Sequence, residues 1–428
     1  MVDTVTASGT SNGSLAAPIR VRPKRAGSSL GADPRGDTGV GSLTTIGSVQ
    51  KAQKSKGSSS FFKWSLKNTW IYPLIILLTI ATAYIIAPGE DNPVRPALFL
   101  SYANPPLYQR TNTLPPEIGD VTQYGKGKKD FAFVAFYTVF FTFTREFLMQ
   151  RVILPIALWY GIRSPAKQAR FMEQFYTAIY FGVFGPYGLW VMSRTPVWYF
   201  NTIGMYEGFP HRAHEVYFKA YYLLQAAYWA QQAIVLLLML EKPRKDFKEL
   251  VLHHIVTLSL IYLSYAFHFT YMGLAVYITH DISDFFLASA KVLNYIESPI
   301  IAPYFVFFIG VWAYLRHYIN LTILWSMRPG GEFETVGRYD LSWPEHQYKC
   351  YISHPITFGL LATLQAVNLF WFFLICRILF RLVFASDLKD DRSDEEDLDE
   401  VEDASSPKTP TAASTGIEKK TKTTRRKA

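Results

Sequence analysis

Large apolar residues in this chain come in eight long runs, separated by shorter stretches that hold much of the charge. The runs are 69–87, 131–160, 170–193, 217–240, 250–271, 273–296, 300–327 and 355–384. Each is close to or above the roughly 20 residues that a helix needs to cross a bilayer. Backbone polar groups in lipid must bond within their own segment, so the pattern predicts helices. The expected fold is an all-α polytopic membrane protein with about eight transmembrane helices. The second run contains Arg145 and Glu146 and predicts two helices joined near Gln150. The fifth and sixth are parted only at Tyr271–Gly273, which predicts a tight antiparallel hairpin turning there.

Composition sharpens this picture at the ends. Half of the 428 residues are hydrophobic, with 32 Phe, 27 Tyr and 10 Trp, yet the mean hydropathy is only slightly positive. Residues 1–60 and 387–428 hold few large apolar groups and dilute an apolar middle. Residues 1–60, rich in Ser, Gly and Thr, are expected to be disordered, as is the tail 385–428. That tail packs eleven carboxylates between Asp387 and Asp403 and ends on Arg425-Arg-Lys-Ala. Ser393, followed by Asp-Glu-Glu, has the surroundings of an acidophilic phosphorylation site; a solvating acidic tail is the alternative. The first 25 residues lack the apolar core of a cleavable signal, so the first run is expected to direct insertion.

The formal charge of +9 lies in the tails and short loops and gathers into no single surface, which argues against nucleic acid and for membrane orientation. Eight spans put both termini on one side. Lys51, Lys54, Lys63 and Lys67 before the first span mark that side as the cytosol, as do the basic loops 161–169 and 241–249. The Pro-rich loop 88–130 would be lumenal, as an ordered element or a docking surface, although Lys126, Lys128 and Lys129 run against the rule. Cys350 and Cys376 have neither disulfide nor metal-ligand spacing.

The fifth and sixth runs carry ionisable groups that lipid-facing helices avoid. The fifth holds His253, His254 and His268, and the sixth holds His280, Asp281, Asp284 and Lys291. Adjacent His253 and His254 lie about 100° apart on a helix, so at most one points squarely at a given spot. His254 is expected to share a face with Thr257, and His280, Asp281 and Asp284 to form one polar face continued at Lys291. Entering from opposite sides, His254 would lie roughly 12 Å deep and Asp284 roughly 16 Å, so the two meet near the middle of a core about 30 Å thick. A neutral imidazole beside a carboxylate can serve as general base or nucleophile. No Gly-x-Ser-x-Gly elbow or phosphate-binding glycine loop is present, so the set suits acyl transfer or a metal site.

The segments HHIVT at 253–257, SYAFHFTYMG at 264–273 and HDISDFFLASAKVLNY at 280–295 resemble the Lag motif of fungal ceramide synthases of the longevity-assurance, TLC-domain family. The resemblance divides the chain into a cytosolic tail 1–60, the first two spans 61–166, a TLC-like catalytic domain 167–384 with the motif at 250–300, and the tail 385–428. It implies a helical bundle around a lipid tunnel in the endoplasmic reticulum membrane. The implied reaction is N-acylation of a sphingoid base by a long- or very-long-chain fatty acyl-CoA, giving (phyto)ceramide and CoA. Acyl-CoA is a co-substrate; no cofactor and no metal are implied. Carried over, His253, His254, Asp281 and Asp284 are the catalytic set, with His254 acylated as an acyl-imidazole or acting as base in one step. His280, Thr257 and Lys291 would support them. Lys242, Arg244, Lys245, Arg163 and Lys167 are candidates for the CoA phosphates. The implied partners are a single-span accessory subunit and a homo- or heterodimer with a paralogue.

The remaining groups have plainer readings. His268 is expected to satisfy an interhelical hydrogen bond, and His317, beside Arg316, to be structural. His211, His214, His346 and His354 are expected at the surface. Arg145 and Glu146 would pair with neighbours or reach opposite sides. Two other functions stay open: a non-catalytic TLC protein that senses lipid or aids translocation, and a metal-dependent, ceramidase-like hydrolase.

Overall fold

The computed structural model describes residues 60–106, 110, 119, 121–241, 245–336, 341–343 and 351–385. The two tails, Ser393, Lys242, Arg244, His346 and Cys350 lie outside the described residues. Helices dominate what is described. A short α1 (Ser60–Lys67) leads into α2 (Ile71–Ile86) and the single turn α3 (Arg95–Leu98). Helices α4 (Lys129–Leu148) and α5 (Leu154–Trp159) are joined through a π-helical turn, Met149–Ile153, so the second apolar run is one helix with a widened turn at Gln150. Then come α6 (Pro165–Ser193), α7 (Val216–Leu237), α8 (Phe247–Ala266) and α9 (Thr270–Tyr295). The seventh run is α10 (Ile301–Trp312) and α11 (Asn320–Ser326) with a second π-helical turn, Ala313–Ile319, between them. The last is α12 (Ser353–Ala385).

Helical segments therefore overlap all eight apolar runs. By length and composition, three described helices suffice to cross a membrane: Lys129–Trp159, Phe247–Ala266 and Ser353–Phe384. The chain is a membrane protein of helical class, and its outer face suits lipid: Ile75, Leu78, Ile85, Val183, Phe307, Phe373 and Phe380 are all exposed.

Local sequence explains several boundaries. Gly161, at φ +80°, closes α5 in a Schellman turn: its N–H donates to Leu158, and that of Ile162 donates to Ala157. Pro165 then starts α6 where a missing N–H costs nothing. The hairpin between α8 and α9 turns at Phe267–Phe269, earlier than expected, with His268 at φ +68°. Tyr271–Gly273 thus lies inside α9. Gly273 is there because a Cβ would collide with the Tyr222 hydroxyl, itself bonded to Ser264.

The register of α9 is set by α6. Gly182, Gly185 and Gly188 form a groove that takes Phe285, Ile282 and Ile278; a Cβ on Gly188 would come within 2.6 Å of the Tyr221 hydroxyl and 2.9 Å of Ile278. Gly188→Val is expected to destabilise the bundle by about 1–3 kcal/mol through overpacking. The measurement is thermal unfolding of the detergent-solubilised chain; an unchanged midpoint would show that the groove has slack.

At the end of the bundle bearing the α8–α9 turn, the segment before α4 plugs into the helices. Gln123–Tyr124 (β1) pairs antiparallel with His214–Glu215 (β2). Lys219 is fully buried and bonded to Asp130 at 2.7 Å, while Tyr265 donates to the same carboxylate at 2.8 Å. Lys126 donates to the Tyr265 carbonyl at 3.1 Å and lies 3.2 Å from His268 Nδ1. Burial and the nearby Lys219 hold its ammonium well below the usual lysine range. Lys126 is thus a half-buried, hydrogen-bonded group, not a free flanking charge. His211 and His214 were expected at the surface but are buried. Burial pushes His211 down to about 3, and His214 lies 2.9 Å from the Thr270 hydroxyl. His268 contacts Lys126 of the inserted segment.

Candidate functional site

Two cavities adjoin inside the bundle, and His253 and Trp229 belong to the walls of both. The first, about 850 Å³ when the space open to its surroundings is included, is apolar and is lined by the later turns of α8, the early turns of α9 and the first turns of α12, including Leu260, Met272, Leu360 and Leu364. The second, about 1180 Å³ when the space open to its surroundings is included, is the more polar and lies toward the α7–α8 connection; Arg170, Glu241, His254, Asp284, Lys291 and Arg316 face it.

The helices sort the motif residues between these spaces. With Ile278, Ile282 and Phe285 seated on α6, the stripe Val276, Tyr277 and His280 lines the apolar cavity, and Asp284, Leu287 and Lys291 continue it along the polar one. Asp281 leaves that stripe, which corrects the single polar face expected from spacing. One residue beyond His280 is a turn of about 100°, and this points Asp281, fully buried, at α7. There it accepts hydrogen bonds from the Tyr221 hydroxyl at 2.8 Å and from Gln225. Tyr180 completes the cluster, donating to Gln225 at 3.1 Å and stacking on Tyr228 with ring centroids 3.4 Å apart.

On α8 the tandem histidines part company. His253 is buried between Trp229 and Trp371, with ring centroids at 5.8 and 5.1 Å. Its Nε2 is 3.5 Å from the Thr257 hydroxyl, and its Nδ1 has no hydrogen-bond partner among the described residues. Thr257 therefore serves His253, four residues away, and not His254 as expected. His254 lines only the polar cavity. Its Nδ1 lies 2.9 Å from the Leu250 carbonyl. A carbonyl only accepts, so Nδ1 carries the hydrogen and the Nε2 lone pair is left for chemistry.

Asp284 is held from the seventh helical run. Arg316, fully buried in the π-helical turn, donates to Asp284 at 2.5 Å and to the Ser283 hydroxyl at 2.6 Å. It also donates to Asn368 of α12 at 3.1 Å. Asn368 in turn lies 3.2 Å from His280 Nε2, and His280 Nδ1 donates to the Val276 carbonyl at 2.8 Å. Both nitrogens of His280 are thus committed, which suits a supporting part. His317 lies 2.7 Å from the Gln365 amide.

Sequence reasoning passed over Arg316, though an arginine inside an apolar run is costly enough to be a signal in itself. Arg170 was also missed. It and Lys291 are cations of the polar cavity wall, whereas Arg163, Lys167 and Lys245 do not line it. Arg145 pairs with Glu146 and with Glu241, both at 2.6 Å, so it ties α4 to the rim of that cavity. Among the described residues no three His, Cys, Asp or Glu side chains group as metal ligands.

Residues 170–377 match the TLC domain model. The chain is 49% identical over 344 residues to sphingosine N-acyltransferase lac1 of Schizosaccharomyces pombe, covering 80% of this chain and 85% of that one. It is 46% identical over 352 residues to ceramide synthase LAG1 of Saccharomyces cerevisiae, covering 81% of each. Ceramide synthase 5 of Homo sapiens is 27% identical over 257 residues, 58% of this chain and 61% of its own.

Proposed function

We propose, from the premise that this chain belongs to the sphingosine N-acyltransferases of the TLC-domain family, that it is a ceramide synthase joining a fatty acyl group from acyl-CoA to the amine of a sphingoid base. The observation that carries the reading is the meeting of a cation-bearing polar cavity and an apolar one at the tandem histidines. Acyl-CoA has the matching two halves. Its phosphates suit Arg170 and Lys291 at the polar wall, with the exposed loop lysine Lys245 outside. Its chain suits the aliphatic wall of α8, α9 and α12, and the two cavities would form the lipid tunnel.

In the chemistry we favour, His254 Nε2 attacks the thioester carbonyl, the C–S bond breaks and the CoA thiolate leaves. The sphingoid amine then attacks the acyl-imidazolium carbonyl, forming the amide and returning His254 to its neutral state. The protons released by the substrate ammonium pass to the CoA thiolate and, through Asp284, to solvent. His253, wedged between the cavities, steers the chain past the reacting centre. Asp281 acts from behind, by fixing α9 against α7.

The same reading places about eight spans in the endoplasmic reticulum membrane with both termini cytosolic. The bonding of a half-buried Lys126 to the Tyr265 carbonyl, with His268 3.2 Å away, weakens one objection to that orientation. A single-span accessory subunit, a dimer with a paralogue and phosphorylation at Ser393 belong to the proposal too.

A panel of acyl-CoAs and sphingoid bases on the purified full chain, with and without copurifying protein, tests the activity. The expected result is one CoA released per amide formed, followed by mass spectrometry. Chelator-sensitive release of fatty acid from ceramide, with stoichiometric zinc, would replace this reading with a hydrolase. Lipid binding without turnover of any pair would leave a non-catalytic protein.

A further inference from the structure

Arg316 sits where a scaffold for acyl transfer would need a fixed cation. It lies in the π-helical turn Ala313–Ile319, and such widened turns are frequent at functional sites. Its guanidinium stacks over Trp312 at 4.1 Å and is buried, yet it forms part of the polar cavity wall together with His253, His254 and Asp284. Its donors reach four acceptors: Asp284, Ser283 and, at 3.4 Å, the His280 carbonyl on α9, and Asn368 on α12. Coming from a third helical run, Arg316 thus bonds to both α9 and α12 at the junction of the cavities.

We infer that Arg316 is a positioning residue for the acyl transfer: it holds Asp284 aimed at the polar cavity, and ties that carboxylate through Asn368 to the helix that walls the apolar cavity. This rests on the acyltransferase reading given above. The fork geometry matters because four acceptors are met at once by one rigid plane. A lysine keeps the charge but can follow only part of that pattern. The link to α12 has a mechanical consequence. Leu360, Leu361 and Leu364 contact the space assigned to the acyl chain, and Asn368 is the next turn of the same helix. Seating the chain therefore sets the position of Arg316, and with it that of Asp284.

The test uses the full chain purified in detergent with acyl-CoA and sphingoid base. Arg316→Lys is expected to lower kcat by about 10²-fold, the size of loss that a misplaced reacting group produces, with the KM for acyl-CoA nearly unchanged. Arg316→Ala should lose more, and millimolar methylguanidinium should restore part of its turnover, because the guanidinium faces an open cavity. Asn368→Leu should give a smaller fall in kcat. Full turnover by Arg316→Lys, or equal rises in KM and falls in kcat with no rescue, would overturn the inference. If Arg316→Ala fails to fold, Arg316→Lys and Asn368→Leu decide by the same kcat and KM readings. An inactive wild-type chain would instead count against the acyltransferase reading.

Discussion

Incubated with acyl-CoA alone, the wild-type chain is expected to gain the mass of one acyl group, and the His254→Ala variant to gain none. The argument starts from the tautomer. Leu250 fixes the hydrogen of His254 on Nδ1, so the Nε2 lone pair is directed away from the helix backbone and into the polar cavity. An imidazole so poised attacks a thioester without first losing a proton, and the Nδ1–H bond to the carbonyl strengthens as positive charge grows on the ring. Turnover in His254→Ala should fall by at least about 10³-fold, the scale on which essential acid–base or nucleophilic groups contribute. His253→Ala should also lose activity, but its acyl adduct on His254 should still form, slowly. Peptide mapping decides between the two rings. A wild-type mass that stays unmodified under trapping conditions, with His254→Ala still inactive, would assign His254 as general base in a single step.

Much of this site was visible in the pattern of residues, and the parts that were not have a common cause. Helical spacing places His280, Asp284 and Lys291 on one stripe and puts His254 and Asp284 at similar depth; the structure brings both to the polar cavity. Spacing does not say which neighbour each face meets. That is set by distant contacts, here the three glycines of α6 that seat Ile278, Ile282 and Phe285. Asp281 was grouped with the wrong face for this reason, and Thr257 with the wrong histidine. His211 and His214 look like loop residues in sequence, but both are buried, and His214 pairs in a short strand with Tyr124 of the segment before α4. Arg316 was legible on its own terms, as a charge in the middle of an apolar run; it was overshadowed by the denser cluster two helices away.

The two aspartates of the motif should separate cleanly on mutation. Asp284 faces the cavity and accepts from Arg316, while Asp281 is closed off against Tyr221 and Gln225. Asn at 284 keeps an oxygen for the guanidinium, so folding should survive, but the negative charge proposed to draw in and deprotonate the substrate ammonium is gone. We expect kcat to fall on the order of 10³-fold with little change in thermal midpoint. Leu at 281 does the reverse. It removes the acceptor of the buried Tyr221 hydroxyl and one acceptor of the buried Gln225 amide, at about 1–3 kcal/mol for a group left unpaired, and loosens α9 against α7. Its first symptom should be a lowered midpoint, with the residual activity of the folded fraction much higher than that of Asp284→Asn. Asn at 281, which still offers an oxygen to Tyr221 and Gln225, should recover most of the stability. Thermal unfolding and acyl-transfer rates measured on the same preparations separate the cases. A fully stable but inactive Asp281→Leu variant would mean that Asp281 takes part in the chemistry after all.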